Sequence, residues 1–183
     1  IGGYMIPKYK IVTPPALMAV GLDAVKTFLR VDGSTEDALI TTIIRAATQR
    51  LEKETDRKFV TQTWDIYFDS FPTCKKLKGG EPWWDGVKDG ALNQLTGSAG
   101  AFIQLPFGPC QSVTYLKTYD DDNTEYTMTS TEYHVDTISP TPRIGLKLAG
   151  TWPSTVLRPS NGVEIRGVFG FGVGYTDANN PGA

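Results

Sequence analysis

Apolar residues recur at helical spacing through the first third of the chain and at a period of two through most of the rest. In "GLDAVKTFLRV" (21–31), Leu22, Val25, Phe28 and Leu29 fall on one helical face. Asp23 in the first turn and Arg30 near the end suit the helix dipole. "DGS" then breaks the pattern, with Ser34 as the expected N-cap and Asp37 closing a weak capping box. A second stripe follows in Leu39, Ile40, Ile43, Ile44, Ala47 and Leu51, running to about Thr55. The pattern predicts an amphipathic helical hairpin. Its polar face carries Arg45, Arg50, Lys53 and Arg57, with Glu52 and Glu54 as the expected partners of a solvated surface.

After Phe59 the period changes. "TWDIYFDSF" alternates Trp64, Ile66 and Phe68 against Asp65, Tyr67 and Asp69, and "AFIQLPF" puts Ile103, Leu105 and Phe107 on one side. "RIGLKL" alternates Ile144, Leu146 and Leu148 with Arg143, Gly145 and Lys147, and "GVEIRGVF" does so with Val163 and Ile165. "SVTYLKTYD" and "EYTMTSTEYHVD" add further strands, joined through the hairpin-type turn "DDNT". Short strands separated by turn signals predict an antiparallel sheet or small sandwich. The expected class is α+β: a helical hairpin at 22–58 packed with an antiparallel β domain at 59–176. An arm at 1–21 precedes them, an insertion at 73–100 interrupts the β domain, and a tail at 177–183 follows.

Composition narrows the function classes. A length of 183 residues suits one domain with an insertion. A formal net charge of −2 argues against a protein that grips nucleic acid by neutralising phosphates, which points to proteins as partners. Cys74 and Cys110 do not make a disulfide framework; they could pair if adjacent in space, but unpaired thiols of an intracellular chain are the preferred reading. The opening has no signal-peptide pattern and the chain no apolar run long enough for a membrane span. Met5 could be the natural start.

Catalytic and metal patterns are scarce. The lone His134 lies in a strand-like segment without ligand partners at readable spacing, which favours a structural or surface role. No G-x-S-x-G or Cys-His arrangement occurs. "GFGVG" (170–174) is not followed by a helical pattern and so cannot set phosphates on a helix N-terminus. "DDDNTE" (120–125) lacks the glycine and distal glutamate of a calcium loop and reads as a turn. The expectation is a non-enzyme with no cofactor and no metal.

The stretch "GGEPWWDGVKDG" (79–90) sets Trp83 and Trp84 side by side in a loop. One indole could fill a gap between sheet and helices. The pair could be a platform for sugar rings, which would make the chain a carbohydrate-binding β-sandwich. It could also be a protein–protein hot spot, where tryptophan is enriched. Adjacent residues cannot easily both point inward, so one indole is expected to be buried and the other to meet a partner.

The chain from "VTPPALMAVGLDAVKTFLRV" through "TWDIYFDSFP" resembles the opening of head–tail connector (adaptor, or head-completion) proteins of tailed bacteriophages. The matching positions are Leu22, Lys26, Leu29, Arg30, Val31, Glu36, Asp37, Glu52, Thr55, Arg57, Gln62, Thr63, Trp64, Phe71 and Pro72. "WWDGV", "IQLPFGPCQSVTYLKTYDDDNTEYTM", "YHVDT", "WPSTVLRPSNGVEI" and "GYTDANNP" resemble longer members, so the likeness runs through nearly the whole chain. It implies a structural virion protein forming a ring, commonly a dodecamer, beneath the portal. Such a ring extends the channel for passing double-stranded DNA and docks the tail or next neck protein. The implied location is the virion neck, with host cytoplasm before assembly and no membrane. Candidate interface residues are Trp83, Trp84, Arg50, Lys53 and Arg57. The family usually continues into C-terminal helices that are absent here, so the natural chain is expected to run past Ala183 into a helix covering the hairpin stripe.

Overall fold

The computed structural model describes residues 7–71, 102–147, 152–153 and 155–175. In chain order the elements are β1 (Lys8–Thr13), α1 (Leu22–Leu29), α2 (Asp37–Thr55), β2 (Gln62–Phe68), β3 (Ile103–Gln104) and β4 (Cys110–Tyr119). They continue with β5 (Glu125–Thr127), β6 (Tyr133–Asp136), β7 (Arg143–Leu146) and β8 (Val163–Phe169). The class is α+β, with every sheet pairing antiparallel.

The strands form a five-stranded sheet in the order β1-β2-β8-β4-β5 and a three-stranded sheet in the order β3-β7-β6. Alternation decides which side chains meet between them. Ile66 and Phe68 of β2, Leu116 of β4, and Val163, Ile165 and Phe169 of β8 share one core with Ile103, Leu105, Tyr133 and Ile144. Ile103, Leu105 and Phe107 are buried together as the alternation predicts, although β3 itself is only two residues long. Pro106 cannot donate to a ladder, which cuts the pairing short.

The segment 1–21, read from sequence as an arm, contains a strand: β1 pairs with β2 along Lys8↔Tyr67 to Ile11↔Trp64. Tyr9 packs edge-on against Trp64 and Phe107, each at 5.6 Å between ring centroids, which holds β1 on the sheet.

The helices meet through a small separate cluster of Leu22, Ile40 and Ile44, bordered by Met18, Val25 and Val31. Ser34 is not the N-cap of α2. The helix begins at Asp37 behind Glu36, which makes no side-chain cap bond, and Asp37 pairs with Lys26 of α1 at 2.7 Å instead. That ion pair uses the carboxylate which a capping box would have turned back to the backbone. The apolar row of α2 also splits. Ile40 and Ile44 are buried, whereas Leu39, Ile43 and Leu51 are 61%, 57% and 49% exposed and Ala47 is also exposed.

The 170–174 glycine segment clasps the helical region to the sheet. Thr61 N donates to the Gly172 carbonyl at 2.7 Å and Tyr175 N to the Met18 carbonyl at 2.9 Å. Gly170 has φ +132, and a Cβ there would stand 2.6 Å from the Val60 carbonyl group, so the turn requires glycine. Leu148, Cys74 and the tail 177–183 lie outside the described residues.

Candidate interface surfaces

α2 presents two rows of side chains because residues four apart stack on a helix. Ile40, Ile44 and Glu52 make the inner row, buried against the rest of the chain. Leu39, Ile43, Ala47 and Leu51 make the outer row, exposed throughout. Arg50 pairs with Glu54 one turn on, at 2.9 Å, and Lys53 is exposed beside it. Arg57 lies off the helix, beyond the left-handed C-cap Asp56, and bridges to Gly108. The three cations therefore do not share one helical face. Trp83 and Trp84 lie outside the described residues.

Glu52 corrects the sequence reading most sharply. It is not a partner on a solvated surface but a buried acceptor, 8% exposed. Its Oε1 takes hydrogen bonds from Phe59 N at 2.8 Å and Gln62 Nε2 at 3.0 Å, and Lys58 Nζ stands 3.5 Å from Oε2. Gln62 Oε1 in turn accepts from Trp64 Nε1 at 3.0 Å. Lys58 sits over the Trp64 ring at 4.7 Å and the Phe107 ring at 5.0 Å. A charge in that place needs several partners to offset its desolvation, and the turn at 58–62 supplies them. The result is a rigid joint between the end of α2 and β2.

The outer face of the five-stranded sheet carries a second polar layer. Asp65 and Arg166 stand opposite each other on β2 and β8, and the guanidinium grips the carboxylate through two bonds at 2.6 and 2.8 Å. Glu164 accepts from the Tyr115 and Tyr119 hydroxyls at 2.7 and 2.6 Å. Burial, and then the carboxylate they donate to, holds both phenols above their ordinary range. Every acid in this layer is committed to a partner within the chain, which makes the layer structural. It was not singled out from sequence, although D-I-Y and E-I-R on strands of alternating pattern put these groups on one side.

Among the described residues no group of three or more His, Cys, Asp or Glu is placed to hold a metal, and no helix is long and apolar enough to cross a membrane. His134 stands exposed on β6. What the described surface does offer is apolar: Phe28 and Leu29 of α1, the outer row of α2, and Phe171, Val173 and Tyr175 of the clasp. The β1 residues Lys8, Tyr9 and Lys10, absent from the sequence candidates, are exposed as well. Their charged–apolar alternation is the signal that could have marked them.

A family model described as phage gp6-like head-tail connector protein matches residues 20–141. Among solved structures, the chain resembles a protein from the neck of an empty GTA particle computed with C6 symmetry. That match has a TM-score of 0.63 at 19% identity and covers 93% of this chain and 73% of the other. A chain from the virion of a native gene transfer agent (GTA) particle matches with a TM-score of 0.61 at 18% identity, covering 93% and 74%. One from the neck of a native GTA particle computed with C12 symmetry gives 0.56 at 19%, covering 93% and 72%. No curated protein matches the chain.

Proposed function

The chain belongs to the phage gp6-like head-tail connector family, and from that premise we propose that it is a structural subunit of a virion neck. It forms a homo-oligomeric ring, commonly a dodecamer, beneath the portal, extends the DNA channel and presents the docking surface for the tail or next neck protein. The observation that carries this reading is the family match over 20–141, which takes in both helices and strands β2 to β6. The fold shared with chains from GTA necks and virions supports it.

The exposed apolar row of α2 supports it too. An isolated domain has no use for Leu39, Ile43 and Leu51 in water, and contiguous exposed apolar surface marks interaction sites. This row, with Arg50 and Lys53 beside it and Arg57 at the corner, is the contact to the portal. Trp83 and Trp84 reach a neighbouring subunit or the tail-side protein. A subunit of formal charge −2 lets DNA pass without gripping it.

The test is to mix the purified chain with portal rings of the same particle and image the product. The expected result is a coaxial ring on the portal, lost when Leu39→Asp and Ile43→Asp are combined. A chain that never joins the portal and instead binds glycans, with binding abolished by Trp84→Ala, would establish the carbohydrate-binding module in its place.

A further inference from the structure

The five-stranded sheet ends in β1 on one side and β5 on the other, and every residue of both strands is exposed. An open edge offers unpaired N–H and C=O groups to any strand that fits. The two edges differ in a complementary way. On β1, Lys8 and Lys10 stand beside Tyr67 and Asp65 on the polar face of the sheet, while Tyr9 and Ile11 point to the core side. On β5, Glu125 and Thr127 stand beside Tyr119 and Lys117 on the same polar face, while Tyr126 lies beside Thr118 on the core side. Tyr9 and Tyr126 are 57% and 49% exposed, so each edge carries an aromatic that its own chain leaves half uncovered.

We propose that β1 of one copy pairs with β5 of the next, so that the five-stranded sheet continues from subunit to subunit around the ring; this rests on the connector reading above. The junction sets lysines against a glutamate on one face and apolar side chains against a tyrosine on the other. Lys8 is already paired with Asp69 at 2.8 Å and Glu125 with Lys117 at 2.7 Å. Lys10, in no ion pair among the described residues, is the cation left to face the neighbour.

Charge also selects against the simplest rival, a two-fold dimer. Joining two β1 edges would lay the lysines of both strands along one face, and joining two β5 edges would do the same with Glu125. Like charges set opposite each other destabilise a strand pair. A head-to-tail contact avoids this, and repeated by rotation it closes into a ring. Because the four strand pairings across the sheet are all antiparallel, β1 and β5 run in the same direction. Copies related by rotation about an axis along the strands therefore join through a parallel pair.

Cysteine pairs test this on the full chain. Lys10→Cys is combined with Glu125→Cys or with Thr127→Cys, so that either register is caught, and the unaltered chain controls for the native thiols. Mild oxidation of a double variant is expected to give a ladder of covalent multimers on a non-reducing gel. Mixing Lys10→Cys with a β5 single variant should give a dimer that neither forms alone. Rings seen by mass photometry without these cross-links overturn the junction and leave the connector reading standing, as does a dimer from any single variant by itself. A chain that remains single, alone and with portal rings, overturns both.

Discussion

Gln62 Nε2 lies 3.0 Å from Glu52 Oε1, joining the last turn of α2 to the first residue of β2 in a site where both side chains are buried. The same carboxylate also takes the Phe59 amide, so one charge sets the angle at which the chain leaves the helix. Replacing Glu52 with Ala strands that amide and the largely buried Lys58 ammonium, and leaves Gln62 Nε2 only the Val60 carbonyl at 3.2 Å. Glu52→Ala is expected to lower stability by about 3 kcal/mol, in keeping with the removal of one member of a buried charged pair. Urea denaturation measures it, and a loss below about 1 kcal/mol, the net worth of one ordinary hydrogen bond, would contradict the joint.

Ile43 and Ile44 are neighbours in sequence with opposite surroundings, one 57% exposed and the other 7%. Ile44→Ala should cost about 2 kcal/mol or more, because it opens a hole in the helix cluster. Ile43→Ala should stay within about 0.5 kcal/mol, as surface substitutions do, while weakening association with the portal. Thermal unfolding and a binding assay on the same two proteins separate the effects; equal losses of stability would refute the two-row description.

Gly170 holds a φ of +132 against the backbone of Val60. Gly170→Ala forces a Cβ into that contact and is expected to destabilise the fold by about 1–3 kcal/mol, the range for residues held in sparsely populated backbone regions. Gly172, which has open space where a Cβ would go, is the matched control. Equal denaturation midpoints for the two alanine variants would show that the clasp tolerates a side chain.

Asp136 is held low, at about 2, first by the Ser139 hydroxyl and then by the Ser139 amide, with Arg143 and the Ile138 amide adding to the effect. The folded value lies below the unfolded one near 3.8, so the carboxylate contributes stability above that value. The contribution fades as pH falls from about 4 towards about 2, where the folded protein takes up its proton. Asp136→Asn should flatten the melting temperature against pH in that window. A parallel offset of the two curves, with no change in slope, would refute the assignment.

Much of the sandwich was legible because strands buried on one face must alternate, and Ile66, Leu105, Ile144 and Ile165 do so where expected. The helices were legible by the same logic at a period of 3.6. What periodicity could not reveal is which apolar residues the chain covers itself, so Leu39 and Ile40 read as one stripe although only Ile40 is buried. Glu52 escaped for a related reason: a carboxylate defaults to the surface, and its burial depends on donors that only the folded turn assembles. β1 was overlooked because Lys8 and Lys10 look like an arm until β2 lies beside them. Of the proposed site, Arg50 and Lys53 were legible as surface cations, whereas complementarity between two sheet edges needs the strand order.

That strand order also bears on timing. β8, the last strand of the described chain, lies between β2 and β4 in the middle of the large sheet. During synthesis β2 and β4 have no common partner until residues 163–169 leave the ribosome, roughly a hundred residues after β2 at about 5–20 residues per second. The large sheet can therefore close only late, and its two edges become available only on chains that have been translated through β8. Subunits interrupted before that point lack the strand that joins β2 to β4, so β1 and β5 do not yet bound one sheet.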